Sequence, residues 1–224
     1  MARDPRAEAA RTAALADLER EIQALVQAGS VAAAATRAVE GYGPELLGYL
    51  FAVAKNHDDA EEMFSELCEK LWRNLAAFRW DSSFRTWAYA IARNLVREGW
   101  RQGQRQGRVV ALSSAPEVAQ KVQAVRTTTV AYMRTETKKR LELLRATLDE
   151  DDRTLLVLRV DRRMSWRDIA AVMADTREPS LDGGDLDKFA AKLRKRFERV
   201  KERLRAKLAP EALDDDEPST PGRG

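Results

Sequence analysis

The residues most often used for catalysis and metal binding are few in this 224-residue chain. It has one histidine, His57, and one cysteine, Cys68, which lie eleven positions apart. A zinc site needs about three or four ligands from His, Cys and acidic residues, and a Cys–His nucleophile pair needs the two side chains in contact. Cys68 falls within an apolar helical pattern, and the sequence has no GxGxxG or HExxH motif. We therefore predict no catalytic residue, no metal, no cofactor and no small-molecule substrate, and we expect a protein that is not an enzyme.

Charge is segregated along the chain, although the net charge is only +3. Residues 58–69 contain six carboxylates and no Lys or Arg, whereas residues 186–208 contain ten basic residues against three acids. The tail, 209–224, is acidic again. Segregated charge of both signs favours two partners, one basic and one anionic.

The carboxylates of the first run share one side of a predicted helix over 59–77. At about 100° per residue, apolar residues such as Met63 and Leu67 fall on the opposite side. The acids of this face are Asp58, Asp59, Glu62, Glu66 and Glu69. Two interpretations stay open at this point, an ordinary solvated face and a docking surface for a basic partner.

A predicted helix over 84–101 combines arginines with aromatic residues. The face opposite its apolar stripe carries Thr86, Tyr89, Arg93 and Arg97, with Arg101 close by and Asn94 at the edge. Phe78 and Trp80 precede the helix on a loop. Arginine contacts phosphates, an exposed aromatic ring stacks on an unpaired base, and Asn reaches base edges. This composition favours a face that binds single-stranded nucleic acid, although Tyr89 in this pattern is also compatible with a purely structural role.

The last predicted helix, over 186–208, is basic on one side. Lys188, Lys192, Lys195 and Arg199 lie opposite an apolar stripe, and Glu202 is the acid nearest to them. A solvated face would normally include more acids, so the pattern favours contact with phosphates or with a DNA groove.

The periodicity indicates an all-α protein of two helical domains joined by a flexible linker. We expect a frayed N-terminus (1–14), a first domain (15–101), a linker with one short helix at 117–126 (102–135), a second domain (136–208) and a disordered acidic tail (209–224). The first domain should contain helices at 15–28, 31–54, 59–77 and 84–101, with a break or a kink at Gly41–Pro44 in the second. We expect Asp58 and Asp59 to cap the third of these helices, and Asp81, Ser82 or Ser83 to cap the fourth. The second domain should contain helices at 136–147, 152–161, 166–174 and 186–208. Caps are expected from Asp149, Asp151 and Asp152 after the first of these helices, and from a Ser165–Asp168 capping box at the start of the third.

Several runs of residues in the first domain resemble region two of bacterial RNA polymerase sigma factors of the extracytoplasmic-function group. These runs are GYGPELL at 41–47, DAEEMF at 59–64, LWRNL at 71–75, FRWDSSFRTW at 78–87 and IARNL at 91–95. The second domain is similar to sigma region four, a helix-turn-helix unit, through LLVLR at 155–159 and SWRDIA at 165–170. The family usually has a glycine where this chain has Trp80, and a shorter turn where it has residues 175–185.

The resemblance implies a function in transcription initiation, in which the protein brings core RNA polymerase to promoters and promotes DNA melting. Binding to core RNA polymerase would use Asp58, Asp59, Glu62, Glu66, Glu69 and Arg73. Binding to the melted non-template strand would use Phe78, Trp80, Asp81, Ser82, Ser83, Tyr89, Arg93, Asn94, Arg97 and Arg101. Binding to the upstream promoter duplex would use Arg167, Lys188, Lys192, Lys195, Arg196 and Arg199.

The expected protein is cytoplasmic, has no membrane segment, and is a monomer when it is not bound to polymerase. An anti-sigma protein is a further partner that members of this family can have. Two other functions stay open from the residues alone, a helix-turn-helix regulator that binds duplex DNA by itself and a helical adaptor protein. Dependence of DNA binding on polymerase would separate the first of these from a sigma factor.

Overall fold

The computed structural model describes residues 4–54, 56–102, 115–133, 147–174 and 183–208, and every regular element in these ranges is helical. The prediction of an all-α protein is therefore confirmed. In chain order the helices are α1 (Pro5–Gln27), α2 (Val31–Val53), α3 (His57–Asn74), α4 (Phe84–Gln102), α5 (Pro116–Met133), α6 (Glu150–Leu156), α7 (Trp166–Met173) and α8 (Gly183–Leu208). A 3₁₀ turn, Leu75–Ala77, follows α3, and a π-helical turn, Val157–Asp161, follows α6. None of the described helices is long and apolar enough to span a membrane.

Helix α1 begins well before its predicted start, so the prediction of a frayed 1–14 segment is wrong for the part that the structure describes. The Asp4 carboxylate caps the helix by accepting the Arg6 N–H at 2.9 Å. A tertiary contact also stabilises the first turns of α1, because Glu8 forms an ion pair with Arg163 of the C-terminal half. The polar composition of this segment does not reveal such a distant partner.

Helix α2 runs without interruption through Gly41 and Pro44, where the sequence predicts a break or a kink, so the chain has no break there. Proline cannot donate a backbone hydrogen bond and normally kinks or ends a helix. Here α2 lies at the centre of the N-terminal half, in contact with α1, α3, α4 and α5. Its side chains are buried on these neighbours, including Tyr42, Leu47 and Leu50. This tertiary packing keeps the chain helical past the proline.

Helices α3 and α4 each begin after a polar residue that caps the helix. Asn56, rather than the predicted pair Asp58 and Asp59, caps α3 by accepting the Asp59 N–H at 2.8 Å. Ser83, one of three residues predicted as candidates, caps α4 by accepting the Thr86 N–H at 3.0 Å. Each cap satisfies a backbone donor for which the helix itself has no acceptor.

The segment predicted as a linker, 102–135, contains the 18-residue helix α5. This helix is longer than the predicted 117–126 and lies along α2 rather than standing free. Val118 and Val122 are buried in the contact. Residues 103–114, which precede α5, are outside the described part of the chain.

In the C-terminal half, the described helices come in the predicted order. Asp149, one of three predicted caps, accepts the Asp152 N–H at 2.7 Å at the start of α6, whereas Asp151 and Asp152 lie inside the helix. Ser165 caps α7 as predicted, by accepting the Asp168 N–H at 3.1 Å. Helix α8 begins at Gly183, slightly before its predicted start, and lies against α7. Outside the described residues are nearly all of the predicted helix 136–147, most of the predicted turn 175–185, and the tail 209–224.

The C-terminal half lies directly against α2 and α4 of the N-terminal half. Thr86 Oγ1 of α4 donates to Asp168 Oδ1 of α7 at 3.3 Å. The hydroxyls of Tyr49 in α2 and Thr154 in α6 are 3.3 Å apart in a buried contact. The structure therefore describes the two predicted domains in contact, while the predicted boundaries between them stay a prediction.

Candidate nucleic-acid interface

A cavity of about 590 Å³ lies where the loop between α3 and α4 meets these two helices. The rings of Phe78 and Trp87 form its apolar wall and are stacked, with centroids 4.5 Å apart and planes at 16°. Polar side chains complete the lining, from Lys70, Asn74, Arg79, Asp81, Ser82 and Asn94. An apolar wall with a few convergent polar groups is typical of a small-ligand site, and this volume is sufficient for one nucleobase.

The cavity brings together four residues predicted to bind the melted strand, namely Phe78, Asp81, Ser82 and Asn94. Ser83 does not line it, because the Ser83 hydroxyl caps α4 and donates to Thr86 Oγ1 at 2.9 Å. Lys70, Asn74 and Arg79 also line the cavity, although none of them was predicted to bind the strand. Arg79 lies within the loop that was predicted to bind the strand, which was a weak signal for it. Lys70 lies on α3, and no sequence motif linked it to the loop or to α4. Arg79 makes an exposed ion pair with Asp81 at 3.0 Å.

Trp80 lies in the same loop with a left-handed backbone, at φ = 60°. This conformation suits glycine, which agrees with the glycine that the resembling sequences usually have there. The indole ring is half-buried and lies 4.8 Å from the Phe78 ring, measured between centroids. Trp80 therefore supports the aromatic wall of the cavity from the loop side.

Tyr89 is fully buried, so its predicted exposure on the nucleic-acid face is wrong in this arrangement. Its ring meets Tyr49 edge-on, with centroids 5.3 Å apart. Burial raises the pKa of the Tyr89 hydroxyl, and the nearby Glu45 carboxylate adds to the effect. Thr86, on the same face of α4, is also buried. The reason is that the C-terminal half covers this side of the helix.

Arg93 is likewise buried, with only 4% of its surface exposed, and donates to Asp151 Oδ1 at 2.7 Å. Its Nε and Nη1 atoms are buried without a hydrogen-bond partner among the described residues. Arg93 is therefore not accessible to phosphates in this arrangement, and its contact with DNA stays a prediction. Further along α4, Arg97 is half-buried and Arg101 is exposed, so both are at least partly accessible on the predicted nucleic-acid face.

The acidic face of α3 is present, but some of its charge is compensated by residues of the same helix. Glu66 pairs with Lys70 at 3.2 Å, and Glu69 pairs with Arg73 at 2.6 Å. Asp58 is exposed, and the Asp59 carboxylate accepts a hydrogen bond from the Asn56 side chain at 2.9 Å. The remaining predicted member, Glu62, is partly exposed. The predicted polymerase-binding residues thus share one helix, whose first turns are the more acidic part.

The basic stripe of α8 is exposed at all four predicted positions, Lys188, Lys192, Lys195 and Arg199. Arg167 of α7 is also exposed and lies 3.6 Å from Asp187 of α8. Arg196 differs, because it binds three carboxylates at the start of α6. In this arrangement Arg196 is held by these carboxylates, and its contact with DNA stays a prediction. Its partners are Asp149 at 3.1 Å, Asp151 at 3.5 Å and the buried Asp152.

Comparison with known proteins assigns the chain to a family. Residues 38–106 match the family described as Sigma-70 region 2. The chain is also 31% identical over 139 residues to the RNA polymerase sigma-H factor of Pseudomonas aeruginosa, an alignment that covers 59% of this chain and 70% of that protein. The chain belongs to the RNA polymerase sigma factor family. This sigma factor acts in transcription initiation, and its partners are core RNA polymerase and promoter DNA.

The region 2 match begins within α2 and includes all of α3 and α4, so it contains both the acidic face and the cavity of this sigma factor. Helices α6 to α8 lie outside that match. The likeness of this C-terminal part to region four therefore stays a prediction. The comparisons give no support to a regulator that works without polymerase.

Proposed function

We propose that this sigma factor is of the extracytoplasmic-function group and captures one base of the melted non-template strand in the cavity between α3 and α4. The observation that carries the proposal is the cavity itself, where stacked Phe78 and Trp87 meet the polar groups of Asp81 and Asn94. Moving a base out of the duplex stack costs a few kcal/mol. A pocket with an apolar wall and hydrogen-bonding groups offsets that cost for a base that fits.

The lining of the cavity indicates how a base would be distinguished. The Asn94 amide can donate and accept at once, which suits the edge of a purine such as adenine. Asp81 can accept from an exocyclic amino group, although its ion pair with Arg79 competes for the same carboxylate. Lys70, also in the lining, supplies a positive charge for the neighbouring phosphate.

The acidic face of α3 is the proposed docking surface for core RNA polymerase. Carboxylates on one side of a helix attract a basic partner and orient its approach. The pairs of Glu66 with Lys70 and of Glu69 with Arg73 are within one helix and partly exposed. Ion pairs at this spacing on one helix stabilise it by only about 0.2–0.5 kcal/mol, so a basic partner can replace them at little cost.

The exposed basic residues of α8 are proposed to contact the upstream promoter duplex, as the second helix of a helix-turn-helix unit does. Lys188, Lys192, Lys195 and Arg199 face solvent on one side of the helix. Arg93, in contrast, reaches DNA only if the C-terminal half moves off α4, because Asp151 and the buried contact cover it. Separation of the two halves on polymerase is therefore part of the proposal.

A cytoplasmic location is also part of the proposal, because core polymerase and promoter DNA are found there in bacteria. An anti-sigma partner and the monomeric state off polymerase stay predictions.

In vitro transcription with core polymerase tests the base-capture proposal. The template is a promoter library with randomised upstream and melted elements, and start sites are counted by sequencing. The Asn94→Ala variant is expected to lose preference at one base of the melted element by roughly tenfold, since a good bidentate contact is worth about 1–3 kcal/mol of discrimination.

The Lys192→Ala variant provides the contrast in the same assay. Lys192 is an exposed residue of α8, far along the chain from the cavity. Its loss should lower transcription across sequences without altering the preference in the melted element. The base-capture proposal is wrong if Asn94→Ala leaves every base preference in that element unchanged.

A further inference from the structure

Trp80 occupies a backbone conformation that its side chain does not favour. Its φ of 60° lies in the left-handed region, which a bulky residue rarely adopts. Such strain persists only where the surroundings hold it, and it is concentrated at sites where it serves a purpose. A glycine would make the same turn without strain, so the turn alone does not account for a tryptophan at this position.

The contacts of the indole show what holds it in place. The Trp80 ring lies 4.8 Å from the Phe78 ring at 51°, and Phe78 is stacked on Trp87 of α4 at 4.5 Å. Trp87 in turn meets Phe84, a fully buried residue, edge-on at 5.6 Å. A row of aromatic rings therefore runs from the core, along the wall of the cavity, to the loop.

The Trp80 ring lies beside the cavity, because it contacts the ring of Phe78, which is one of the lining residues. Its direct neighbours, Arg79 and Asp81, both line the cavity, whereas Trp80 does not. The ring is only half-buried, so part of the indole is open to solvent. An aromatic surface beside a base-sized cavity is suited to stack on the base next to the captured one.

We propose that Trp80 is a specificity-determining residue that stacks on the neighbouring base of the melted strand and favours a purine there. The inference rests on the proposed base capture, because the neighbouring base reaches Trp80 only when the first base fills the cavity. Purines present the larger π surface, and preferences of this kind come from stacking strength. Two contiguous bases are thus read by different means, the first by the polar groups of the cavity and the second by the indole.

The experiment uses the full-length sigma factor bound to core polymerase and short fluorescein-labelled single-stranded DNA of the melted element found in the transcription library. Affinity is measured by fluorescence anisotropy with each of the four bases at the captured position and at its two neighbours. Trp80→Gly removes the ring and also relieves the strain of the left-handed backbone. Trp80→Asn removes the ring while keeping a residue that tolerates the left-handed region. Trp80→Phe keeps an aromatic ring.

Both ring-removing variants are expected to bind the purine oligonucleotide about tenfold more weakly, with the ratio of purine to pyrimidine affinity falling toward one. Trp80→Phe should keep most of that ratio. Arg163→Gly is the matched control, because Arg163 is a second non-glycine residue with a left-handed backbone, at φ = 55°, and lies outside the cavity. The ratio of purine to pyrimidine affinity in Arg163→Gly should equal that of the parent protein.

An unchanged purine-to-pyrimidine ratio in Trp80→Gly and Trp80→Asn would overturn the inference. The Asn94→Ala variant, measured with the same oligonucleotides, separates this failure from failure of the proposed function. If Asn94→Ala loses discrimination at the captured base while the Trp80 variants behave as the parent, only the role of Trp80 is wrong. If Asn94→Ala and both Trp80 variants all behave as the parent, base capture in this cavity is wrong.

Discussion

Asp152 lies in the first turn of α6 with 3% of its side chain exposed, and it accepts hydrogen bonds from Arg196 and Arg203 of α8. Burial on its own would raise the pKa of this carboxyl. The hydrogen bonds and positive charges of the two guanidinium groups more than offset the burial, so the pKa of Asp152 is lowered. The charged carboxylate therefore fastens α8 to the start of α6.

Replacement of Asp152 by Asn is expected to lower the free energy of unfolding at neutral pH by roughly 1–3 kcal/mol, the usual range for hydrogen bonds to a charged group. Because the folded-state pKa is below the unfolded one, the contribution is present above the unfolded pKa and is lost as pH falls through the folded pKa. The difference between parent and Asp152→Asn should thus shrink as the solution is acidified below about pH 4. Urea unfolding followed by circular dichroism at several pH values measures it.

Asp187→Asn is the control for this measurement. Asp187 is exposed, and Arg167 lies 3.6 Å from it on the surface. Exposed pairs contribute little, so its unfolding free energy should change by less than about 0.5 kcal/mol. If the difference in unfolding free energy between the parent and Asp152→Asn did not depend on pH, the charge-based explanation would be contradicted.

Among the helices, α5 has the least expected position, because it lies along α2 where a flexible linker with one short helix was predicted. The approach of the two helices is close at Gly43. A methyl group there would lie 3.1 and 3.3 Å from the two Val125 methyl carbons. Two ion pairs flank the contact, from Lys121 of α5 to Glu40 of α2 and from Arg126 of α5 to Glu61 of α3. Absence of a side chain at Gly43 thus permits the packing of α5.

A double-mutant cycle with Gly43→Ala and Val125→Ala tests this packing. The gain in helix propensity from glycine to alanine, about 1 kcal/mol, is the same with either residue at 125 and cancels in the cycle. The crowding does not cancel, since Val125→Ala removes the methyl groups that the new Cβ would meet. We expect Gly43→Ala to be more favourable by about 0.5–1 kcal/mol when residue 125 is alanine, as measured by thermal or urea unfolding.

Gly41→Ala serves as the matched control for the cycle. A methyl group at Gly41 would collide with the Leu18 side chain of α1 and not with Val125. Its effect should therefore add to that of Val125→Ala within about 0.3–0.5 kcal/mol. Strict additivity for Gly43→Ala as well would mean that α5 does not pack on α2 at this point in solution.

On the scale of the whole molecule, contact between the N-terminal and C-terminal halves buries Arg93, which the proposed function needs on the surface. Arg93 contacts Asp151, and Thr86 donates to Asp168. Trp100 of α4 lies under the Arg153 guanidinium, whose central carbon is 5.4 Å from the indole centroid. If the two halves bind separate promoter elements, this contact must open on polymerase.

A covalent link between the halves is expected to abolish promoter-dependent transcription. Glu8 of α1 and Arg163 of the C-terminal half form an ion pair with both side chains about 40% exposed, so cysteines at these positions can be joined by a short bismaleimide. The native Cys68 does not interfere, because burial raises the pKa of its thiol and keeps it inaccessible. In vitro transcription with the linked Glu8→Cys, Arg163→Cys protein should fall at least about tenfold.

The two variants with one introduced cysteine each, treated with the same reagent, control for modification alone and should keep full activity. Linked protein that initiates as well as these controls would show that the halves need not separate, and Arg93 would then have no role in binding the strand.

Much of the local structure followed from the sequence by itself. The apolar periodicity identified α2, α3, α4, α7 and α8 because a helix exposes one side and buries another at a fixed angle per residue. Ser165 and Asp149 were recognisable as caps because a cap acts within three residues of the chain. The family followed from local runs of residues around Phe78 and Asn94, and the two residues line the same cavity because the loop and α4 are adjacent in the chain.

Other features were decided only by the tertiary structure. Periodicity shows that Tyr89 and Arg93 share a polar side of α4, but it does not show that α6 and α7 cover that side. In the same way, Glu19 of α1 accepts the backbone N–H groups of Phe84 and Arg85 at the start of α4, at 2.8 and 2.9 Å. Whether a polar face meets water or another helix depends on contacts between residues far apart in the chain. The local pattern of a helix encodes its own two sides and carries no record of such distant partners.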